Sequence, residues 1–381
     1  MVSGSPDVAV IGAGIVGVSV AEELAAAGAS VAVYEATAVA AAASGRNSGV
    51  VQYPLDPVLE ELHLGTLDCY RRLSEEERGT FRMDTEPSGL MLVGRDAARL
   101  RLMTDELAAT HPHLRPEFVA AGEVTRLERA IAEDVAACRL AVGYPVAPAS
   151  ATRAIAARAE RAGARFVIGE DARPRFDRGR ASGVVLGDRF EAAGSVVVAA
   201  GPWSPEVIDP TGLWRPIRRL WGVVVEVDLE DPPGHVLEEA GVDIEPGAQP
   251  VEVGRAVASP DFSLVTASGV SSLGSTFLPD EPDRDAIVPG LVAHGSTFVP
   301  AVASAPLGPS RACARPLSFD GRPLIGRVPG FDGLWIAAGH GPWGISTGPA
   351  SGRLLADLVL GRVAGPPAAL DPARFGGPPL A

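Results

Sequence analysis

Short runs of consecutive apolar residues alternate along the chain with longer amphipathic stretches, a pattern typical of buried parallel strands followed by helices. The first run, DVAVI at residues 7–11, is followed by a helical stretch that ends near Gly28. Glycine is the residue that helices favour just beyond their last turn. A second run, SVAVYE at residues 30–35, completes a predicted β-α-β unit.

The same rhythm returns in the middle of the chain and near its C-terminus. A helical stretch at 151–163 precedes the strand-like run SVVVAAG at 195–201. The run GLWIAAG at 333–339 leads through a glycine-rich turn into a helix ended by Gly361. Between these segments the pattern alternates and turn residues are frequent, which predicts an antiparallel sheet. Segment 229–262 is rich in Pro, Gly and acidic residues and is predicted to be loop.

These patterns predict an α/β fold with a second, α+β lobe. The first domain is discontinuous and the second contains the antiparallel sheet. The predicted boundaries are 1–80, 145–215 and 315–365 for the first domain, 81–144 and 216–314 for the substrate-binding domain, and 366–381 for a C-terminal tail.

Composition narrows the possible functions. The 381 residues are 46% hydrophobic with a positive mean hydropathy, so most of the chain should fold. The formal net charge of −14 argues against nucleic acid as a partner, because an acidic surface repels phosphate. The chain contains no lysine, which excludes Schiff-base lysine chemistry and a Walker A site.

The three cysteines, Cys69, Cys138 and Cys313, are far apart and form no CxxC pair. This spacing indicates a reduced protein with no zinc or iron–sulfur site, and no other metal site is expected. No basic segment precedes the first strand, and no apolar stretch reaches the ~18 residues of a membrane span. We therefore expect a cytoplasmic protein without a signal peptide.

Gly12, Gly14 and Gly17 form a GxGxxG motif directly after the first strand and at the start of the first helix. The first glycine permits a tight turn, the second lets the backbone approach a pyrophosphate, and the third allows close helix–strand packing. Glu35 ends the second strand, where a carboxylate can accept hydrogen bonds from a ribose. The motif predicts a Rossmann-type dinucleotide site, but it does not separate FAD from NAD, and an incidental glycine turn is the alternative.

Several segments together resemble the D-amino-acid oxidase-like family of flavoproteins, the group that includes glycine oxidase, sarcosine oxidase and D-amino-acid dehydrogenase. The matching segments follow one another in the family's order: VAVIGAGIVGVSVAEELAAAGASVAVYE, then ASGRNSGVV at 43–51, VVVAAGPWS at 196–204, and RPLSFDGRPLIGRVPGFDGLWIAAGHGPWGISTGPASGRLLADLVLG at 315–361. The resemblance spans nearly the whole chain and implies FAD as the cofactor.

The resemblance also implies which residues lie beside the FAD. They fall into four groups: the glycine motif, a segment along the pyrophosphate and flavin, residues near the adenine and pyrophosphate, and a loop at the pyrimidine end of the flavin. Together these are Gly12, Gly14, Ile15, Val16, Gly17, Glu35 and Ala36; Ser44, Gly45, Arg46, Asn47, Ser48, Gly49 and Val50; Ala172, Ala200, Gly201 and Trp203; and Gly339, His340, Gly341, Pro342, Trp343, Gly344 and Ile345. The helix after Gly344 would direct its free N–H groups at the negative charge of a reduced flavin. The alternative is a simple strand-to-helix turn.

Enzymes of this family oxidise a small amine or amino acid by hydride transfer from the substrate α-carbon to flavin N5, and the imine product hydrolyses. The flavin does this chemistry, so no dedicated acid–base set is expected and no catalytic side chain is assigned. We expect oxygen as the acceptor, although another electron acceptor is possible. Three alternatives remain open: oxidation of a 2-hydroxy acid, a nicotinamide dehydrogenase, and an electron-transferring subunit of a larger complex. Homo-oligomer formation is also possible.

Arg315 is the main candidate for substrate binding, because glycine oxidase-like relatives carry an arginine there that binds the substrate carboxylate. The alternative is a structural arginine paired with Asp320 or another acid. The chain departs from the family in the loop at His340–Gly344, which lacks a second arginine. Trp343 there offers an aromatic wall, or packs at a domain boundary.

Gln52 and Tyr53 are further candidates for the substrate cavity. Cys313 stands seven residues before Asp320, where sarcosine oxidase-like members carry the cysteine that binds the flavin covalently. A buried, unreactive cysteine is the alternative.

Overall fold

In a computed structural model of the protein, residues 4–241 and 261–379 are described. The helices among these residues are α1 (Ile15–Ala26), α2 (Ala43–Arg46), α3 (Pro57–Glu76), α4 (Ala97–Thr110), α5 (Val124–Leu127), α6 (Ser150–Arg161), α7 (Ser204–Ile208), α8 (Arg284–Phe298) and α9 (Gly344–Val359). α3 shows how the sequence sets a helix start. The Asp56 carboxylate accepts hydrogen bonds from the N–H groups of Val58 and Leu59, and Pro57 occupies the first turn.

The strands of the described residues form four sheets. They are β1 (Val8–Ile11), β2 (Val31–Glu35), β3 (Val50–Val51), β4 (Leu90–Gly94), β5 (Glu117–Val119), β6 (Ala136–Leu140), β7 (Tyr144–Pro145), β8 (Arg165–Ile168), β9 (Ala172–Asp177), β10 (Arg180–Leu186), β11 (Arg189–Ala192), β12 (Ser195–Val198), β13 (Ile217–Val227), β14 (Val236–Glu239), β15 (Ser263–Ala267), β16 (Val270–Gly274), β17 (Leu307–Ser318), β18 (Leu324–Arg327) and β19 (Leu334–Ala338).

A six-stranded sheet with the order β18-β19-β12-β1-β2-β8 forms the first layer of the fold. Its strands are parallel except β18, which pairs with β19 in the antiparallel direction. Both faces of β1 are buried: Val8 and Val10 belong to the core that contains α1, α6 and α9, whereas Ala9 and Ile11 belong to the core on the opposite face. The antiparallel sheet β11-β10-β9 contributes to this second core. Two-sided burial explains why these strands are continuous apolar runs.

An eight-stranded sheet with the order β17-β13-β16-β15-β14-β4-β6-β5 forms the second lobe. All its neighbouring pairs are antiparallel except β14 with β4. One face packs against α8 through Leu291 and Phe298, in a core that includes Val223, Val225 and Leu273. The sequence thus correctly predicted a discontinuous α/β domain with a largely antiparallel second sheet. The residue boundaries of the two domains stay a prediction.

One local prediction was wrong. Segment 229–262 was expected to be loop, but Val236–Glu239 is strand β14, paired with β4 and β15. Val236 and Leu237 are fully buried there, so tertiary pairing outweighs the Pro- and acid-rich composition around them. Residues 242–260 of that segment lie outside the described residues.

Candidate active site

A cavity of about 1420 Å³ lies where the two large sheets meet. Its walls include the turn after β1, the end of β2, the segment around α2 and the turn before α9. The second lobe contributes side chains from β4, β6, β13, β14 and β17. The ends of β1 and β2 that reach the cavity are carboxyl ends of parallel strands, where open α/β sheets bind their ligands.

The three glycines of the motif differ in what their geometry requires. Gly12 has φ +106°, and a Cβ there would lie 2.5 Å from the Ala199 carbonyl oxygen. A Cβ on Gly17 would lie 2.0 Å from the Gly12 carbonyl oxygen, so this glycine is needed for helix–turn packing. Gly14 has an extended backbone that any residue can adopt, and its Cβ would meet only Ser44 Oγ, at 3.1 Å. Gly14 lines the cavity, so the space beside it is open to a ligand.

Glu35 lies at the end of β2 and lines the same cavity. Its Oε2 accepts a hydrogen bond from the Ala13 N–H at 2.9 Å, and Oε1 accepts from the N–H and hydroxyl of Thr37 at 2.9 and 3.0 Å. These bonds fix the carboxylate beside the glycine turn. Each oxygen has further lone pairs, so the group retains capacity to accept from a ribose diol.

The segment Ser44–Val50 is held in place by its own side chains. Ser44 Oγ accepts from the Ile15 N–H at 2.9 Å, which ties the segment to the start of α1. The Asn47 amide donates to the Ala43 and Ser44 carbonyls, while its oxygen accepts from the Gly49 N–H. Arg46 donates to the Ala312 carbonyl at 3.3 Å, so this arginine joins the segment to β17.

The turn before α9 brings an uncapped helix N-terminus to the cavity. Gly344, Ile345 and Ser346 line the cavity, and no side chain in the described part of the chain caps the helix. The first N–H groups of such a helix carry a partial positive charge, which favours a nearby anion. His340 is fully buried and shares a 3.0 Å hydrogen bond with the Ser351 hydroxyl. Burial lowers the pKa of His340 to about 4, so it shapes this turn as a neutral ring.

Nearly all residues predicted to contact FAD line this one cavity, including Ala172 and the group Ala200, Gly201 and Trp203. Three of the predicted glycines, Gly17, Gly45 and Gly339, are not among the lining residues. These three glycines instead allow close packing of the segments that form the cavity wall. A Cβ on Gly45 would lie 2.0 Å from the Ala40 carbonyl oxygen, and Gly339 has φ +94°.

Arg315 lies on β17 and lines the cavity. It donates to the Thr276 carbonyl at 2.8 Å and to Ser275 Oγ at 2.6 Å. Its guanidinium carbon lies 4.6 Å from the centre of the Phe277 ring. Within the described residues Arg315 forms no salt bridge, and Asp320, the alternative partner, pairs with Arg374 at 2.7 Å. Burial lowers the pKa of the Arg315 guanidinium, and a carboxylate in the cavity would offset that cost.

The other substrate candidates also lie at the cavity. The Gln52 backbone N–H donates to Ser346 Oγ at 2.9 Å, and its side chain donates to Glu238 at 2.8 Å, so Gln52 links the two lobes. Tyr53 is buried with its ring edge-on to three histidine rings, those of His63, His111 and His113. Trp343 lines the cavity and also packs against the first core, and its role as an aromatic wall for the substrate stays a prediction.

Cys313 is buried in the cavity wall, and its thiol lies 3.8 Å from the Arg46 carbonyl oxygen. Burial raises the pKa of this thiol despite three arginines nearby, which keeps it protonated at neutral pH. Because the thiolate is the nucleophile, this environment does not activate the cysteine.

Sequence reasoning missed several polar and aromatic groups of the cavity. Asp261, Ser275 and Phe277 all line it beside Arg315, as does Trp221 on β13. Asp261 lay within the segment predicted to be loop, and nothing in its local sequence indicates burial. The segment FSLVTASGVSSLG could have been predicted as a β-hairpin, which would place Asp261 at the start of its first strand. That prediction would not have placed Asp261 beside Arg315.

Comparison with known proteins agrees with this geometry. Residues 7–358 match the family described as DAO, FAD dependent oxidoreductase. The chain belongs to this family. It is therefore an enzyme whose cofactor is FAD, and the described residues contain no helix long and apolar enough to span a membrane.

Individual relatives cover almost the whole chain. Glycine oxidase of Pseudomonas aeruginosa is 30% identical over 370 residues, which are 94% of this chain and 96% of that protein. The structure of glycine oxidase from Geobacillus kaustophilus superposes with a TM-score of 0.81 at 25% identity, covering 97% of this chain and 98% of that one. Iminodiacetate oxidase from Chelativorans sp. BNC1 gives 0.80 at 25% identity, covering 96% and 98%.

Proposed function

We propose that this enzyme oxidises a small amino acid whose carboxylate is bound by Arg315, with oxygen as the electron acceptor. The observation that carries the proposal is the Arg315 guanidinium, which faces the cavity and has no carboxylate partner in residues 4–241 and 261–379. A guanidinium fork binds a carboxylate with directed hydrogen bonds. Glycine and iminodiacetate, which name two relatives, each carry a carboxylate and an amine nitrogen.

The cavity fits FAD, which supplies the site that takes a hydride from the substrate carbon next to the amine. The turn at Gly12 and Gly14 would hold the pyrophosphate, Glu35 the ribose, and the N-terminus of α9 the anionic edge of the reduced ring. Arg315 orients the substrate, while the buried walls of the cavity exclude water. The products would be a 2-oxo acid, ammonia and hydrogen peroxide, formed from the amino acid, water and oxygen.

Two other functions would use the same cavity. A 2-hydroxy acid also carries a carboxylate, so Arg315 alone does not distinguish it from an amino acid. An electron-transferring subunit would bind FAD in the same way and would oxidise no organic donor by itself. The relatives named as amine-substrate oxidases favour the amino acid.

The deciding experiment is anaerobic reduction of the bound flavin by a panel of amines, D- and L-amino acids, N-methyl amino acids and 2-hydroxy acids. We expect an amino acid to bleach the absorbance near 450 nm. Arg315→Ala removes one partner of a desolvated pair, which costs about 2–5 kcal/mol, and so KM should rise roughly 30-fold or more.

Arg315→Lys should recover only part of this loss, because an ammonium lacks the planar fork. FAD content and thermal stability serve as the controls for folding. If Arg315→Ala turned over the best amino acid with an unchanged KM, the carboxylate role of Arg315 would be wrong. Bleaching by hydroxy acids alone would favour the second function, and bleaching by no donor would favour the third.

A further inference from the structure

Asp261 lies directly against the residue that holds Arg315. Its backbone N–H donates to the Ser275 carbonyl at 2.9 Å, and the Ser275 N–H donates back to the Asp261 carbonyl at 2.6 Å. The Ser275 hydroxyl in turn accepts from Arg315 at 2.6 Å. Asp261 and Arg315 both line the cavity, and their charged groups are close enough to influence each other.

Among residues 4–241 and 261–379, no cation pairs directly with the Asp261 carboxylate. In residues 4–241 and 261–379 it forms no salt bridge or hydrogen bond, although His294, Glu239 and Arg315 are near enough to influence it. His294 is already bound to Glu239 at 2.6 Å. Burial and the negative charge of Glu239 raise the pKa of Asp261 to about 6. A partly buried carboxylate in this position would be stabilised by a cation from the cavity.

Arg315 is not that cation. Its guanidinium donates to Ser275 and Thr276 and lies against the Phe277 ring, and no ion pair with Asp261 forms. The two charges therefore remain separate, with the cavity open to both. This arrangement is complementary to a small molecule that carries a negative and a positive group a short distance apart.

We propose that Asp261 binds the amino group of the substrate, so that Arg315 and Asp261 together select a zwitterionic amino acid. The inference rests on the proposed function, because it takes Arg315 as the carboxylate-binding residue. It goes further by excluding 2-hydroxy acids: a hydroxyl offers no positive charge to Asp261, while the carboxylate of such a ligand still meets its negative charge.

A matched pair of ligands tests this directly. 2-Aminoisobutyrate and 2-hydroxyisobutyrate differ only in the amino or hydroxyl group, and neither has a hydrogen on the α-carbon, so neither can be oxidised there. Binding to the FAD-loaded full chain is measured from the change in flavin absorbance. We expect the wild-type protein to bind the amino ligand at least about tenfold more tightly, the effect of one charged hydrogen bond.

Asp261→Asn should remove this preference. The amino ligand should bind about tenfold more weakly, whereas the hydroxy ligand should bind more tightly because the repulsion of its carboxylate is gone. Asp261→Glu should retain part of the preference. Glu281→Gln removes a charge from an exposed cavity residue, and it should change both affinities by less than about twofold.

The outcomes separate the two proposals. If Arg315→Ala weakens both ligands but Asp261→Asn changes both equally, the role of Asp261 is wrong and the carboxylate role of Arg315 stands. If Arg315→Ala weakens neither ligand, or the wild type binds neither, the proposed function itself fails. FAD content and melting temperature report on folding, and Asp261→Ser provides a second neutral variant should Asp261→Asn not fold.

Discussion

Gly14→Val should abolish FAD binding while the protein still folds. Gly14 has φ −75° and ψ 176°, so its backbone does not require glycine. Among the described residues a Cβ would meet only Ser44 Oγ, at 3.1 Å, a contact that a shift of a few tenths of an ångström relieves. The added side chain would instead project into the cavity at the turn where a pyrophosphate approaches the backbone.

The expected magnitude follows from the hydrogen bonds that the pyrophosphate would lose. A hydrogen bond to a charged group contributes about 1.5–3 kcal/mol, and displacement from two backbone N–H groups would cost about 3–6 kcal/mol. This corresponds to a rise in the Kd for FAD of roughly 100-fold to 20,000-fold. Gly14→Ala should give a smaller increase in the same direction.

The assay is the FAD content of the purified protein, followed by titration of the apoprotein with FAD. Gly28→Ala is the matched control, because Gly28 has φ +91° and no neighbour within 4 Å of a Cβ. It should lose about 1–2 kcal/mol of stability and keep its FAD, the reverse of the Gly14 result. Gly14→Val protein that retained one FAD per chain would refute the site.

Two further predictions concern buried side chains around the cavity. Burial keeps the Cys313 thiol protonated, so we expect no covalent bond to the flavin, and acid precipitation of the protein should release the flavin into a yellow supernatant. If the yellow colour instead stayed with the precipitated protein, and the Cys313→Ser variant released it, the flavin would be bound covalently through Cys313. His340 has a pKa of about 4 in the folded state against about 6.5 when unfolded, so the unfolded state takes up a proton first as pH falls. His340 should therefore contribute about 2 kcal/mol to the drop in the free energy of unfolding between pH 7 and pH 5, measured by urea denaturation. Buried His63, whose pKa is also lowered to about 4, should contribute a similar amount to the total. His340→Asn should show a smaller drop than the wild type, and an equal drop in His340→Asn would contradict the assignment.

The nucleotide half of the site could be predicted because its signals are local. The β1-α1-β2 unit, its glycines and Glu35 fall within 35 consecutive residues, and each part has a distinct local pattern. Parallel strands then bring the turn after β1 to the same edge as the turns after β12 and β19. The segments at Gly201 and His340 thus reach the cavity through a rule that applies to any such sheet.

The part of the cavity around Arg315 depends on strand register, which the local sequence pattern does not contain. Leu220 pairs with Arg315 and Gly222 with Cys313, and Gly222 is small enough to leave space for the guanidinium. A shift of β17 by one residue would turn Arg315 toward the core around α8, where Ala312 now packs. Asp261 and Arg315 are 54 positions apart and meet through Ser275, which belongs to neither strand of the β13–β17 pair. The placement of Asp261 beside Arg315 is therefore a property of the assembled sheet, and only the structure reveals it.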